Sequence, residues 1–156
     1  MYKEGSNLNS LALLNVYNRI IPSNVEVVGC TVKEIIQYLI ENYGDVNIEI
    51  LFELRVILNE LILNAVTHGN KENTNKFVSV SMGITKDKCM LLMVTDDGDG
   101  YDYDFYLKKF EDSKEMFCWE EIEETGRGIK IIMKLCDRVE FNKRGNKISI
   151  LKRLEK

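Results

Sequence analysis

The sequence predicts an α+β fold, a two-layer sandwich in which helices cover one face of a mixed or antiparallel sheet. Two long segments in the first half of the chain have the apolar periodicity of helices. Two strand-like segments follow with a short connection, and one further helix and a closing hairpin complete the chain. Helices followed by strands favour segregated layers, whereas a parallel sheet needs alternating strands and helices.

The first half of the chain is predicted to form one strand and two helices. Residues 11–21 are rich in strand-forming side chains and end at the only proline of the chain. The Ser-Asn pair after this proline is placed to cap a first helix over residues 25–42. An aspartate or an asparagine would cap the second helix over residues 48–68, and a Gly-Asn pair would end it.

The second half is predicted to supply most of the sheet. Residues 77–85 and 89–96 alternate in polarity or run apolar, as strands do, and a short Lys-Asp-Lys turn joins them. Residues 128–137 have the pattern of a helix. Residues 138–142 and 148–154 would then pair as the closing hairpin. These strands complete a sheet that the helices can cover from one side.

Length and composition predict a single domain over residues 1–156, with 45% hydrophobic and 29% charged residues. No apolar segment is long enough to cross a membrane, and no basic stretch leads into an apolar run at the N-terminus. Four scattered cysteines and a single histidine exclude a zinc finger and a multi-histidine metal site. We therefore expect a cytoplasmic protein with reduced thiols and no membrane association.

Charge is distributed unevenly along the chain. The net charge is −4, and the acidic excess is concentrated in residues 101–125, where weak periodicity predicts one or two short helices at most. From Arg127 onward the chain is basic, which we interpret as a solvated outer face. A weakly acidic protein without a basic, aromatic-rich patch is not expected to bind nucleic acid directly.

The second predicted helix is apolar around most of its circumference but carries one narrow polar stripe. The stripe residues are spaced seven, four and three positions apart: Glu53, Glu60, Asn64 and Thr67. A carboxylate near the interior is costly unless it is paired or faces water. The stripe therefore lines either a ligand or metal site or an exposed seam beside the helix pair. Glu60 and Asn64, one turn apart, offer oxygen ligands that suit Mg²⁺ better than zinc.

An aspartate and two glycines follow a predicted strand directly, in the run from Asp96 to Gly100. Gly98 and Gly100 allow positive φ and close approach of a ligand to the backbone. A buried Asp96 at the strand end is suited to accept a hydrogen bond from the exocyclic amine of adenine, which guanine lacks there. A plain turn or a calcium-type loop is the alternative, although Leu107 occupies the position where an EF-hand loop has glutamate.

A second glycine-rich segment opens the predicted third helix, with the sequence Thr125-Gly126-Arg127-Gly128-Ile129. Free backbone N–H groups and the positive end of the helix dipole make such a segment suitable for binding phosphate. It is neither a Walker loop nor a dinucleotide-binding turn. The alternative interpretation is a simple entry from a loop into a helix.

The order of these motifs resembles the GHKL ATPase superfamily, which includes gyrase, histidine kinases, mismatch-repair ATPases and the large heat-shock chaperone. Within it, the chain is most similar to the anti-sigma-factor serine/threonine protein kinases. The shared features are an NExxxNAxxHGN run over residues 59–70, a GRGI run over 126–129 and an LxD pattern over 135–137. The resemblance covers residues 11–154 and implies the Bergerat ATP-binding fold.

The resemblance also implies roles for individual residues. Glu60 corresponds to the catalytic general base of the family, and Asn64 to its Mg²⁺ ligand. Asp96 corresponds to the acid that binds adenine, and residues 101–125 to the ATP lid. The remaining nucleotide-binding positions lie in the two glycine segments: Gly98, Gly100, Thr125, Gly126, Arg127, Gly128 and Ile129.

The function implied by the resemblance is that of an ATP- and Mg²⁺-dependent protein serine/threonine kinase. Its partners would be an anti-sigma-factor antagonist, as phosphoacceptor, and a sigma factor that it sequesters, and it would form a homodimer and regulate transcription. Two alternatives are a nucleotide-gated binding module without kinase activity and the detached ATP-binding module of a two-component system.

Four further positions bear on these expectations. Many relatives have a threonine after the glycine of the closing hairpin, whereas this chain has Asn146 after Gly145. Asp97 and Asp99 add negative charge near the expected phosphates. The lone His68 is expected to be a buried, hydrogen-bonded residue that closes the second helix.

Overall fold

The computed structural model describes residues 7–100 and 124–155, with the side chains of residues 124–127 excluded. The predicted lid, residues 101–125, therefore lies almost wholly outside the described residues. Within the described part, five strands form one sheet in the order β1-β2-β3-β5-β4, and all neighbours pair antiparallel. The strands are β1 Leu14–Pro22, β2 Phe77–Ile84, β3 Cys89–Asp96, β4 Arg138–Phe141 and β5 Lys147–Arg153.

In the part of the chain that the structure describes, three helices pack against one face of this sheet. They are α1 Val28–Tyr43, α2 Ile48–Asn64 and α3 Glu124–Leu135. The core lies between the layers, where the inward residues of β2 and β3 meet the buried sides of the helices. The side chains at the start of β2 alternate between the two faces of the sheet: Val78 and Val80 are buried against the helices, while Phe77 and Ser79 are exposed. The predicted α+β two-layer fold is confirmed, and the sheet is antiparallel throughout.

Asparagines, each one of the two candidates the sequence offers, cap the 3-10 turn that leads into α1 and the start of α2. Asn24 accepts a hydrogen bond from the Glu26 N–H and starts a short 3-10 turn that leads into α1. Asn47 accepts from the Glu49 N–H at the start of α2. Each cap satisfies one of the backbone donors that a helix start leaves free.

The end of α2 widens into a π-helical turn over Ala65–Gly69. Its closing hydrogen bond runs from the Asn70 N–H to the Ala65 carbonyl over 2.9 Å. This wider turn carries the chain from the helix layer to the end of β3. His68 lies in the turn and is exposed, so the expectation of a buried histidine is wrong.

The N-terminal segment, residues 7–13, lies across the face of the sheet that the helices leave open. Leu91 and Leu92 are consecutive in β3 and both fully buried, so both faces of this strand are covered. On the outer face, Leu8 is 0% exposed although it is not part of the main core. A Cβ at Gly83 would lie 2.8 Å from the Leu13 side chain, so the glycine makes room for this segment.

Two predicted boundaries shift by several residues. Strand β1 begins at Leu14 rather than at residue 11, because the chain before it crosses the sheet face as the N-terminal segment. Helix α3 begins at Glu124 and ends at Leu135, so the glycine-rich segment lies inside the helix instead of before it. Among the described helices, none is long and apolar enough to cross a membrane.

Candidate functional site

Asp96 stands at the end of β3 with its side chain turned inward, and it is only 8% exposed. Its Oδ1 accepts a hydrogen bond of 2.8 Å from the Gly98 N–H, which folds the following turn back over the strand end. A Cβ at Gly98 would collide with the carbonyl oxygen of Gly69. Only glycine fits this position, as the sequence pattern indicates.

The π-helical turn brings Gly69 directly against the Asp96 carboxylate. A Cβ at Gly69 would overlap the carboxylate group, with Asp96 Oδ1 at 2.9 Å. Gly100, with φ +92°, packs in the same way against the Arg144 carbonyl. The segments that carry Gly69 and Gly98 thus meet around the Asp96 side chain without side chains of their own in the way.

Burial raises the pKa of the Asp96 carboxyl above its ordinary value, and the charge of neighbouring Asp97 acts in the same direction. The Gly98 N–H and the positive charges of Arg144 and Lys76 oppose this increase. The carboxylate is therefore partly desolvated, which strengthens a hydrogen bond that it accepts from a ligand.

Glu60 and Asn64 lie one turn apart on α2 and face the start of α3. A Cβ at Gly128 would lie 2.5 Å from Glu60 Oε2 and 3.2 Å from Asn64 Nδ2. The glycine therefore lets α3 approach the polar end of α2 more closely than any other residue allows.

The Asn64 amide is incompletely satisfied. Its Nδ2 is buried and has no hydrogen-bond partner among the described residues. A buried amide without a partner costs free energy, so it indicates a site that a ligand completes. Turning the amide over would direct Oδ1 to the same place and offer an oxygen to a cation.

The polar stripe of α2 does not form one site. Glu53 forms an ion pair with Lys152, whose Nζ also donates to the Leu135 carbonyl over 2.6 Å. Thr67 Oγ1 donates to the Leu63 carbonyl of its own helix over 2.8 Å. Only Glu60 and Asn64 therefore face the glycine-rich start of α3.

A pocket of about 290 Å³, open to solvent, joins Asn64 to Asp96. The walls combine five apolar residues with four polar or charged ones. The lining residues are Leu61, Asn64, Ala65, Val94, Asp96, Ile129, Asn146, Lys147 and Ile148.

The structure thus brings Glu60, Asn64, Gly128 and Ile129 together at one side of the site, and Asp96, Gly98 and Gly100 at the other. Thr125, Gly126 and Arg127 lie in the first turns of α3, and their side chains are outside the described residues. Gly128 and Ile129 are buried.

Asn146 lines the pocket. In the sequence it stands out only as the residue that occupies the position where many relatives have threonine. Its Nδ2 donates to the Asp96 carbonyl over 2.9 Å, and its own carbonyl accepts from the Asp96 N–H over 2.9 Å. Asn142 fixes its orientation by donating from Nδ2 to Asn146 Oδ1 over 2.7 Å. The signal was present in the sequence, since the position follows the glycine of the closing hairpin.

The residues present fit a magnesium–nucleotide complex better than a metal held by protein alone. Among the described residues, no three acidic, histidine or cysteine side chains come together as a metal-binding group. Mg²⁺ commonly takes one or two protein oxygens and completes its shell with phosphates and water. The side-chain amide of Asn64 can supply one such protein oxygen at the edge of the pocket.

An antiparallel sheet with helices on one face, and an acid-and-glycine pocket at a strand end, define a histidine kinase-like ATPase domain. The family of that name matches residues 21–152, so the chain belongs to it. The resemblance to the GHKL superfamily is confirmed.

Among its relatives, the serine-protein kinase RsbW of Bacillus subtilis is 25% identical over 118 residues, which are 76% of this chain and 70% of that protein. The serine-protein kinase RsbW of Staphylococcus aureus is 28% identical over 106 residues, 67% of this chain and 66% of that protein. The chain thus spans about two thirds of the length of these relatives.

A solved structure confirms the fold. The histidine kinase domain of the blue-light activated histidine kinase from Erythrobacter litoralis EL346 matches with a TM-score of 0.52 and 16% identity. The match covers 86% of this chain and 62% of that one. At this identity, the likeness concerns the fold alone.

Proposed function

We propose that this chain is an ATP-dependent protein serine/threonine kinase that phosphorylates an anti-sigma-factor antagonist and sequesters a sigma factor. Its similarity to two proteins named as serine-protein kinases supports the kinase class. The observation that carries the proposal is the meeting of Glu60, Asn64 and Gly128 beside the pocket that also contains Asp96. The Glu60 carboxylate and the Asn64 amide lie side by side at the end of the pocket where the proposal places phosphoryl transfer.

In this proposal the nucleotide lies along the pocket, with its base at Asp96. The carboxylate accepts a hydrogen bond from the adenine amine, and Gly98 and Gly100 let the ligand approach the turn. The phosphates extend toward the start of α3, where Thr125, Gly126, Arg127, Gly128 and Ile129 surround them. The proposal includes residues 101–125 as the ATP lid of a single domain over residues 1–156.

The chemistry assigned to Glu60 is proton acceptance from the acceptor serine. The serine oxygen forms a bond to the γ-phosphorus, the bond from that phosphorus to the bridging oxygen breaks, and ADP leaves. The hydroxyl proton passes to the Glu60 carboxylate. Asn64, together with the phosphates, would hold Mg²⁺, which neutralises charge on the transferred group.

The partners in this proposal are two proteins rather than nucleic acid or membrane. The antagonist domain supplies the serine, and the sigma factor is the sequestered ligand. The kinase acts as a homodimer in the cytoplasm, where it regulates transcription by controlling the free sigma factor.

Incubation with γ-labelled ATP and candidate antagonist domains tests this function. Label on a serine or threonine of the antagonist supports the proposal. Label on a histidine would instead indicate the detached module of a two-component system. Nucleotide-dependent binding of partners without any transfer would indicate a regulatory binding module, and either result would overturn the kinase assignment.

A further inference from the structure

One buried asparagine joins four segments at the base end of the pocket. Asn70, directly after the π-helical turn, is 1% exposed. Its Nδ2 donates to Ser23 Oγ over 2.7 Å and to the Phe77 carbonyl over 2.9 Å. Its Oδ1 accepts a hydrogen bond of 2.8 Å from the Asp97 N–H.

These contacts leave the amide a single orientation. Two of its neighbours offer only one kind of group, a carbonyl that accepts at Phe77 and a backbone N–H that donates at Asp97. An amide turned over would place two acceptors face to face and two donors face to face. Both hydrogens and the oxygen of the side chain are therefore committed within the protein.

The Asp97 side chain completes a ring of hydrogen bonds around this point. Its Oδ2 accepts from the Phe77 N–H over 2.8 Å, so Asn70, Phe77 and Asp97 hold one another through three bonds. The carboxylate of Asp97 is thus directed at β2. The ring ties the start of β2 to the first residue of the turn after β3.

We propose that Asn70 is a positioning residue for the base end of the site, which fixes the turn after β3 so that Asp96 presents its carboxylate to the purine. The two peptide groups that flank Asp96 are held from opposite sides. Asn146 binds the N–H and the carbonyl of Asp96, and Asn70 binds the next N–H along the chain, that of Asp97. Asn70 also follows Gly69, the residue that packs on the carboxylate itself.

This position couples the two ends of the pocket. Helix α2 carries Glu60 and Asn64, and the turn at its end carries Asn70. The hydrogen bond between Asn70 and the Asp97 N–H links the end of this helix to the turn after β3. It thereby connects the phosphate end of the pocket to the base end. The inference rests on the proposed function, because it takes Asp96 as the residue that reads adenine.

The test compares three variants with the wild type: Asn70→Ala, Ser23→Ala and Asn75→Ala. Ser23→Ala removes one partner of Asn70 but leaves its bond to Asp97. Asn75 is an exposed asparagine close by in the chain and serves as the matched control. Affinities for ATP and GTP are measured by calorimetry with Mg²⁺, and the exchange rates of the Asp97 and Gly98 amides are measured by NMR.

We expect Asn70→Ala to weaken ATP binding by about tenfold or more and to reduce the preference for ATP over GTP. The Asp97 amide should exchange faster because it loses its hydrogen bond to Asn70. The Gly98 amide should also exchange faster, because its hydrogen bond to Asp96 Oδ1 depends on the orientation of the Asp96 side chain. Ser23→Ala and Asn75→Ala should keep the wild-type preference and exchange rates. Asn70→Ser, a milder change, is measured in parallel in case the alanine variant does not fold.

Unchanged exchange at Asp97 and Gly98 in the Asn70 variants would overturn the inference, whatever the nucleotide affinities are. An equal loss of adenine preference in Ser23→Ala would also overturn it, because the effect would then come from the corner between β1 and β2. A wild type that binds ATP and GTP alike would contradict the proposed function instead. In that case faster exchange in Asn70→Ala still supports the positioning of the turn.

Discussion

At the scale of single residues, the pocket depends on positions without a side chain as much as on the polar side chains that line it. Glycine at positions 69, 98 and 128 lets backbone segments approach Asp96, Glu60 and Asn64. The buried Nδ2 of Asn64 has no hydrogen-bond partner among the described residues. A site prepared in this way sacrifices some stability for ligand binding.

Asp96→Asn should weaken ATP binding and stabilise the protein without ligand. Loss of a charged hydrogen bond to the base costs about 1.5–3 kcal/mol of binding free energy. The folded-state pKa of Asp96 is raised, so the folded protein loses stability as pH rises through that pKa. Removing the charge should therefore raise the free energy of unfolding at pH 7. Calorimetry with ATP and GTP and urea unfolding at pH 7 check both effects, and an unchanged preference for ATP would contradict the role in base recognition.

Gly128→Ala should damage the site, whereas Gly29→Ala should not. The new Cβ at position 128 would lie 2.5 Å from Glu60 Oε2, so either the Glu60 carboxylate must shift or α3 must move away from α2. We expect ATP affinity to fall by at least about tenfold, since a shift of this size misplaces phosphate contacts. Gly29 in α1 has nothing within 4 Å of the same Cβ, so its substitution should keep affinity and add up to about 1 kcal/mol of stability. ATP titration and urea unfolding of both variants decide, and equal affinities would contradict the assigned geometry.

At the scale of elements, the π-helical turn and the N-terminal segment position the strand ends that form the pocket. The turn moves Gly69 and Asn70 to the end of β3. The N-terminal segment holds the closing hairpin from the other face, since Asn9 Oδ1 accepts from Lys147 Nζ over 3.0 Å and the Leu8 N–H donates to Glu140 Oε2 over 3.1 Å. Lys147 also lines the pocket, so this segment contacts one of the pocket residues.

Leu8→Ala should reduce the free energy of unfolding by about 2–5 kcal/mol, the usual cost of truncating a fully buried leucine. The matched control is Leu14→Ala, because Leu14 is 52% exposed at the start of β1 and should cost far less. Urea denaturation of both variants measures the difference. A similar, small loss in the two variants would show that the N-terminal segment does not cover the sheet in solution.

The sequence predicted these elements well where a local pattern defines them. Asn24 and Asn47 cap helices as expected, and β2, β3 and the closing hairpin lie within a residue or two of their predicted bounds. The start of α3 was predicted four residues late, because glycines usually precede a helix and only the contact with α2 keeps them inside one. The π-helical turn has no sequence signature of its own, so its consequence, an exposed His68, could not be predicted.

At the scale of the whole molecule, motifs distant in the chain converge on one pocket. Their order indicated Glu60, Asn64, Asp96 and the glycines, and the structure brings the described members together. Asn70 and the N-terminal segment act through contacts with residues that are distant in sequence, from 7 to 138 positions away. A pattern in a single sequence does not indicate such contacts. The roles of Asn70 and of the N-terminal segment could therefore not be predicted from it.

ATP with Mg²⁺ should stabilise the entire fold. A ligand that binds only the folded state adds about 2.7 kcal/mol at a hundredfold excess over its dissociation constant. Asn64→Ala should lose most of the dependence of this stabilisation on Mg²⁺, since the phosphates alone must then hold the ion. Thermal unfolding with ATP, with and without Mg²⁺, measures the effect. Equal Mg²⁺-dependent stabilisation in wild type and variant would contradict the metal-binding role of Asn64.

Phosphoryl transfer by Glu60→Gln is the sharpest test of the proposed kinase mechanism. Glutamine keeps the shape of the side chain but cannot accept the serine proton. We predict that ATP and sigma-factor binding stay close to the wild-type level, while transfer to the antagonist falls by about 10²–10⁴-fold, or less if the transition state is loose. Transfer at the wild-type rate would contradict the role of Glu60 as proton acceptor. Glu60 would then be only a polar residue of α2, and another group would have to take the proton.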